Sequence, residues 1–160
     1  MSSGRPNGRY LGGGAESGGV SDLSTMMFVN LPVADVARSR TFYASLGFRF
    51  DAMFCDPGTV CMEVNDSTKV ILLCARRFAG YAAGAVAEPS KAREVLLAVS
   101  AESRAAVDRR VDAAITAGGT ELRPTEDLGF MYTRTFCDPD GHGWEVLYMD
   151  PASIPQTAVD

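Results

Sequence analysis

The sequence is poor in the features that mark several large classes of protein. It contains one histidine, His142, so a metal site built from several imidazoles is excluded within one chain. It has no dense Lys/Arg cluster and a net charge of −5, which argues against a nucleic-acid partner. No apolar run is long enough to cross a membrane, and the first residues lack the pattern of a secretory signal. We therefore expect a cytoplasmic protein with no membrane partner.

Cysteine patterns that indicate a disulfide framework or a zinc site are also absent. The chain has four cysteines and no Cys-x-x-Cys pair. Each cysteine lies inside an apolar, strand-like run, which predicts buried free thiols in a reducing compartment. The four are Cys55, Cys61, Cys74 and Cys137.

What remains is the composition of one ordinary globular domain. The 160 residues are 46% hydrophobic and 22% charged, enough for one substantial core. The Gly/Ser-rich start carries no hydrophobic period and is expected to be a flexible leader outside the fold. We expect a leader over residues 1–24, one domain over 25–150 and an irregular tail over 151–160. Within the domain, module one spans 26–75, a linker or lid spans 76–92, and module two spans 93–149.

The predicted elements repeat in the same order in the two modules. Each reads as strand, helix and three further strands, with the helices capped by Asp35 and Ser100 and ended by glycines at 47 and 118. The strands are expected at 26–33, 48–55, 59–64 and 69–74, then at 94–99, 120–124, 131–137 and 144–149. The duplication predicts an α+β fold of two paired βαβββ modules, whose curved, cup-like mixed sheet carries helices on its outer face.

Alternation along the strands separates the face under the helices from the face of the cup. Residues 28–33 align with 94–99, and the second, fourth and sixth residues of both segments are apolar. These should lie under the helices, and the intervening residues should line the concave face. A concave face with apolar walls and a few polar groups is a natural ligand site. The candidate substrate-binding residues are Phe28, Asn30, Glu94, Leu96, Arg134 and Leu147.

Glu145 is the main candidate for chemistry. It lies in the last predicted strand, in a run that is apolar on both faces, and a covered carboxylate needs a partner, a metal or a proton. Glu145 could act as a catalytic base or pair with Glu94 as acid and base. Arg134 could instead neutralise it as a plain ion pair. The alternative is that Glu145 is solvated at the start of its strand.

The segment between the modules has two interpretations. Phe78 and Tyr81 could close over a pocket, or they could anchor the linker on the core. The sequence leaves both open.

The motifs together resemble the vicinal oxygen chelate superfamily, which includes glyoxalases, bleomycin-resistance proteins, fosfomycin-resistance transferases and extradiol dioxygenases. The resemblance covers residues 26–149 and implies the fold more specifically than the reaction. The matching segments are Asn30-Leu31-Pro32-Val33-Ala34-Asp35, Arg40-Thr41-Phe42-Tyr43, Leu46-Gly47-Phe48 and Asp138-Pro139-Asp140-Gly141-His142-Gly143-Trp144-Glu145.

The resemblance also implies positions for one divalent metal in the cup. These fall on Phe28, on Val70 or Ile71, on Glu94 and on Glu145. Only Glu145 has the usual residue type, and Glu94 stands where histidine is common. The implied cofactor is one divalent metal (Mg, Mn, Zn or Fe) held by Glu94 and Glu145, and a protein without metal is the alternative.

Two functions follow as expectations from the resemblance. The first is a glyoxalase-like lyase, isomerase or dioxygenase that acts on an unidentified small molecule with an incomplete metal site. The second is a metal-free protein of the bleomycin-resistance type that binds and sequesters a drug or antibiotic. Members usually form homodimers, so a homodimer is expected. Whether the protein is an enzyme is left open.

Overall fold

The computed structural model describes residues 25–153, so the expected leader and most of the expected tail lie outside the described residues. The helices are α1 (Val36–Ser45), α2 (Ala75–Ala82) and α3 (Arg104–Thr116). The strands are β1 (Met27–Val33), β2 (Arg49–Phe50), β3 (Thr59–Glu63), β4 (Thr68–Cys74), β5 (Leu96–Ser100), β6 (Thr120–Glu121), β7 (Glu126–Asp127), β8 (Met131–Cys137) and β9 (Gly143–Met149). Within residues 25–153, every helix is too short or too polar to cross a bilayer.

Each module forms one mixed sheet with the same strand order. In module one the order is β1-β4-β3-β2, and β1 runs parallel to β4 while the other pairs are antiparallel. In module two the order is β5-β9-β8-β6, with β5 parallel to β9 and the short β7 also paired to β8. The matching order confirms the predicted α+β fold of two βαβββ modules.

One apolar cluster joins the two modules. Leu31 and Val33 of β1 are buried, whereas Phe28 on the same strand is 50% exposed, so the predicted alternation is correct. The cluster continues into module two through Val107 of α3 and Val146 of β9. We call the face of each sheet opposite α1 and α3 its open face. These two faces correspond to the predicted cup.

The two main helices begin differently from one another. Asp35 caps α1 as predicted, because its carboxylate accepts the backbone N–H of Arg38 at 3.0 Å. The predicted cap Ser100 is instead the last residue of β5 and is paired with Leu147 of β9. Ser103 caps α3 by accepting the N–H of Ala106 at 3.1 Å. The strand ladder therefore extends further into module two than the sequence pattern indicated.

Several other elements differ from the predictions. The strand expected over 94–99 begins at Leu96, which leaves Glu94 outside it, and the strand expected over 120–124 ends at Glu121. The strand expected over 48–55 ends at Phe50, because the Asp51 carboxylate accepts the N–H of Met53 at 3.0 Å and starts a 3-10 turn. The segment expected as an irregular linker or lid over 76–92 begins with the helix α2. The short strand β7, which pairs with β8, was not predicted.

A buried polar network fastens the turn between β8 and β9 to α1. The Tyr43 hydroxyl donates to Asp138 Oδ2 at 2.6 Å and accepts the indole N–H of Trp144 at 3.0 Å. Asp138 Oδ1 accepts the backbone N–H of His142 at 2.8 Å. Tyr43, Asp138 and Trp144 are each at most 4% exposed. Asp138 of module two thereby receives a hydrogen bond from Tyr43 of module one.

The same turn holds the end of β1. Asp140 accepts the N–H of Ala34 at 3.0 Å, the guanidinium of Arg38 at 2.8 Å and the hydroxyl of Ser39 at 3.1 Å. His142 Nε2 lies 2.7 Å from the carbonyl oxygen of Pro32. Because a carbonyl only accepts, Nε2 carries the proton. His142 thus holds the end of β1 against this turn.

Burial sets the protonation of this network. It raises the pKa of Tyr43 well above the usual tyrosine value, and the negative charge of Asp138 raises the pKa further. Burial likewise raises the pKa of Asp138, although His142 and the hydrogen bond from Tyr43 oppose that effect. The phenol therefore remains a hydrogen-bond donor at neutral pH.

The Tyr43→Phe variant should be less stable by about 1–3 kcal/mol, because Asp138 loses its donor in a buried site. Tyr43 has a higher pKa when folded than when unfolded. Its contribution is therefore complete below about pH 10 and is lost as the pH rises further. The stability of the variant should thus fall less steeply in alkali. Urea unfolding at neutral and alkaline pH measures both effects, with Tyr81→Phe as the control because Tyr81 is 73% exposed. Equal stability of the two variants would contradict the role of this bond.

Candidate functional site

A cavity of about 340 Å³ lies where the start of module two meets β1 and α2. Two predicted site residues, Asn30 of β1 and Glu94 just before β5, line it together. Its volume is at the lower end of the range typical of small-molecule sites. The apolar part of its wall is formed by Pro32, Phe78, Ala82, Ala85, Val86, Ala87, Ala92, Val95 and Leu97. We call it the junction cavity.

The polar groups of the junction cavity differ in whether they have partners. Arg93 donates to the carbonyl of Gly141 at 3.2 Å and to the Cys137 sulfur at 3.3 Å. His142 is held by Pro32, as described above. Among the described residues, the side chains of Asn30 and Glu94 make no hydrogen bond or ion pair. The carboxylate and the amide are thus the groups available to a ligand.

Helix α2 separates the junction cavity from a second, more open hollow. Phe78 and Ala82 line the junction cavity, whereas Arg77 and Tyr81 line the hollow together with Phe28. The 73% exposure of Tyr81 argues against a role as an anchor on the core. Arg77 instead fastens α2 through an ion pair with Asp56 and a hydrogen bond to Thr59. Phe78 therefore serves as a wall of the cavity.

Of the other predicted residues, Phe28 lines the second hollow on module one, and the rest lie on module two and do not line the junction cavity. Glu145 is on the open face, beside Ala98 of β5 and Thr135 of β8, and forms an ion pair with Arg123. Glu94 lies in a bend two residues before β5 and lines the junction cavity, whereas Glu145 does not. The structure does not bring the two carboxylates together in that cavity, and Glu145 has Arg123 as its partner instead. Leu96 and Leu147 share the open face with Glu145.

Arg134 is placed on the opposite face from the one expected. It stands opposite Val146 in the β8–β9 ladder, on the side that packs against α3. Its guanidinium donates to Asp108 at 3.1 Å and to Asp112 at 2.8 Å. Neighbouring residues of a strand point to opposite faces, so Thr135 shares the face of Glu145 and Arg134 points to the other face. Arg134 is thus neither in the cup nor the partner of Glu145.

The residues present do not fit the divalent metal that the fold implies. Phe28 and Ile71 offer no ligand atom, and the two carboxylates lie apart. Among residues 25–153, no group of three His, Cys, Asp or Glu side chains is placed to hold a metal ion. Tight metal sites in proteins need several oxygen, nitrogen or sulfur donors around one point.

One partly buried amine lies on the open face of module one. Lys69 donates to Asp51 at 2.9 Å and to Glu63 at 3.3 Å, and its side chain is 12% exposed. The hydrogen bond to Asp51 is the main cause that raises the pKa of Lys69. The group therefore stays charged and is unsuited to act as a nucleophile at neutral pH.

Sequence reasoning missed two arginines near these sites. Arg93 precedes β5 and closes one end of the junction cavity, and Arg123 lies in the connection between β6 and β7. Neither belongs to a periodic segment, so no face could be assigned to them. The sequence around Arg123, which precedes Pro124, does not indicate which group its side chain contacts.

Comparison with known proteins agrees with this geometry. Residues 25–65 match the family described as Bleomycin resistance protein-like N-terminal. The chain is similar to a hypothetical protein from S. aureus, with 27% identity and a TM-score of 0.67 over 79% of this chain and 94% of that one. It is also similar to a glyoxalase/bleomycin resistance protein/dioxygenase family enzyme from Burkholderia phytofirmans PsJN, with 17% identity and a TM-score of 0.66 over 77% and 97%.

A third similar structure is a glyoxalase-related enzyme from Fulvimarina pelagi, with 22% identity and a TM-score of 0.66 over 79% of this chain and 88% of that one. No curated protein matches the sequence. The family match over the first module and the shared two-module fold make the chain similar to proteins of the glyoxalase/bleomycin resistance/dioxygenase superfamily. This confirms the resemblance drawn from the motifs.

The Arg77→Gln variant tests whether the contact with Asp56 fixes α2 over the open face. Loss of the ion pair should make the amides of α2 exchange about two- to fivefold faster, while the sheets keep their protection. Hydrogen exchange followed by mass spectrometry gives both values. Arg76→Gln is the matched control, because Arg76 is the exposed neighbour and has no recorded ion pair among the described residues. Equal exchange in the two variants would show that Arg77 does not hold the helix.

Proposed function

We propose that this protein binds a small, mainly apolar molecule in the junction cavity. The observation that carries the proposal is that the cavity brings together Asn30 of module one and Glu94 of module two, both without partners in the described chain. Groups that are free, polar and set in an apolar wall are typical of ligand sites. Binding and sequestration follow from this geometry and require no metal.

The available groups indicate the kind of ligand. Glu94 is an acceptor with a negative charge, and the one nearby guanidinium, that of Arg93, is held by Gly141 and Cys137. A ligand amine or other N–H donor could therefore pair with Glu94 while Asn30 offers both a donor and an acceptor. The small alanines of the wall leave room for a ring or a short branched chain.

The alternative of a lyase, isomerase or dioxygenase has weaker support. That alternative relies on Glu145 as ligand or base, and in this chain Glu145 is paired with Arg123 on the open face of module two. The carboxylate in the junction cavity is Glu94, and Glu145 does not line that cavity. The superfamily is often metal-dependent, but this donor set supports a binding protein better.

We also propose a reducing, cytoplasmic setting for this protein. All four cysteines are free thiols, and Cys61 is buried beside Lys69 in module one. Burial raises the pKa of the Cys61 thiol, which keeps it protonated and unreactive at neutral pH.

We also propose a homodimer that covers the open face of module one. Met53 is 84% exposed, and Phe28 and Phe54 on the same hollow are 50% and 55% exposed. Large apolar side chains grouped in this way mark an interaction surface. On module two, Leu96 and Met149 are also more than two-fifths exposed and offer a complementary apolar surface.

The ligand proposal is tested with pairs of compounds that share a ring and differ in charge, such as benzylamine and benzoate. Benzylamine should raise the melting temperature, because a ligand at 100 times its Kd adds about 2.7 kcal/mol of stability, and benzoate should not. Ala82→Trp, which fills the cavity, and Glu94→Gln should both remove the effect. Ala79→Trp, one turn away on α2, should keep it. Stabilisation that survives Ala82→Trp would place the site elsewhere.

The dimer proposal is tested by the molar mass in solution, from light scattering after gel filtration. The wild-type protein should have twice the mass of one chain. Phe54→Glu should give the monomer, because it places a charge in the apolar contact. The control is Ile115→Glu, at a 40% exposed apolar position on the outer helix α3, which should remain dimeric. A monomeric wild type, or a Phe54→Glu dimer, would refute this interface.

A further inference from the structure

On the open face of module two, Arg123 pairs with Glu145, the glutamate at which the resemblance implies a metal ligand. Glu145 stands between Ala98 of β5 and Thr135 of β8 in the strand ladder. Its carboxylate pairs with the guanidinium of Arg123. The Glu145 side chain is 20% exposed, and that of Arg123 is 45% exposed. The pair therefore lies partly out of solvent, where a charge without a partner would be costly.

The backbone around Arg123 is fixed to the sheet beneath it. Its N–H donates to Thr135 Oγ1 at 3.1 Å, and the Thr135 hydroxyl donates back to the Arg123 carbonyl at 3.3 Å. The N–H of Leu122 donates to the Thr135 carbonyl at 3.4 Å. Thr135 is 1% exposed. Arg123 thus starts from a fixed point on the far side of β8 from Glu145, and its side chain reaches across β8 to the carboxylate on β9.

The surroundings of Glu145 offer a metal little else. The cross-strand neighbours on the same face are a methyl group at Ala98 and a hydroxyl at Thr135, and Leu147 follows two residues along β9. A guanidinium keeps its charge at every pH at which the protein folds. A divalent ion at Glu145 would therefore have to displace a permanent, covalently attached competitor.

We infer that Arg123 is an internal counter-ion that closes Glu145 to divalent metals. In this chain the last-strand glutamate is neutralised by the protein itself, and module two presents a metal-free, largely apolar open face. The inference depends on the Arg123–Glu145 contact alone, so it holds whether or not the junction cavity binds a ligand.

The test adds a second metal ligand beside Glu145 and asks whether Arg123 still prevents binding. Ala98→His places an imidazole directly across from Glu145, which makes a two-ligand site for Mn²⁺ on neighbouring strands. Free Mn²⁺ is measured by electron paramagnetic resonance for Ala98→His, for Ala98→His/Arg123→Gln, and for the latter with Glu145→Gln. The double variant should bind Mn²⁺ about tenfold more tightly than Ala98→His, because the adjacent positive charge is gone. The triple variant should lose this gain.

Three outcomes would overturn the inference. One is equal Mn²⁺ affinity with and without Arg123, including no binding in either case. Another is a gain that persists without Glu145. The third is a wild-type protein that binds one Mn²⁺ in a manner abolished by Glu145→Gln. Circular dichroism checks that each variant is folded, and Arg123→Met replaces Arg123→Gln if the latter unfolds, because its longer side chain keeps more of the apolar contact.

Discussion

The buried carboxylate of Asp138 is the constraint on which the arrangement of the two modules depends. It is placed in a turn of module two but receives its hydrogen bond from Tyr43 of module one, and Tyr43 in turn receives one from Trp144. An unpaired carboxylate at this depth would be strongly destabilising. The modules must therefore meet in one orientation, with Asp140 against the start of α1 and His142 against the end of β1.

That orientation decides where a ligand site can form. With the turn fixed to Pro32, Glu94 before β5 and Asn30 of β1 line the same cavity. Helix α2, fixed by Arg77, closes one side with Phe78, and Arg93 closes another by bonding to the same turn. The junction cavity is thus a consequence of how the modules are joined.

The two glutamates that looked equivalent in sequence have different surroundings. Glu94 lines the junction cavity and has no partner within residues 25–153, whereas Glu145 is neutralised by Arg123 on the open face of module two. Glu94 is therefore free to accept a hydrogen bond from a ligand, whereas the Glu145 carboxylate is already paired within the protein. This chain therefore has the superfamily fold, but its two glutamates at the implied metal-ligand positions have other surroundings than a shared metal.

The order of helices and strands along the chain, the duplicated module and the buried face of β1 could be predicted from the sequence. Alternation and helical period are local properties, and the Asp-Pro-Asp-Gly turn and the Asp35 cap depend on neighbouring residues. The predicted boundaries were wrong where a hydrogen bond outside the periodic pattern fixed the backbone. The hydrogen bond to the Asp51 side chain ends β2 early. Ser100, the predicted helix cap, is instead paired with Leu147 in the β5–β9 ladder.

The sequence by itself determined which residues face the core, because the period of two in strands is a property of the chain alone. Only the tertiary structure decided the partners of the charged groups. Arg134 had the right spacing but the wrong strand parity to reach Glu145, and Arg123 reached it from an irregular connection. Long side chains find their partners across distances set by module packing. No local sequence period encodes those distances.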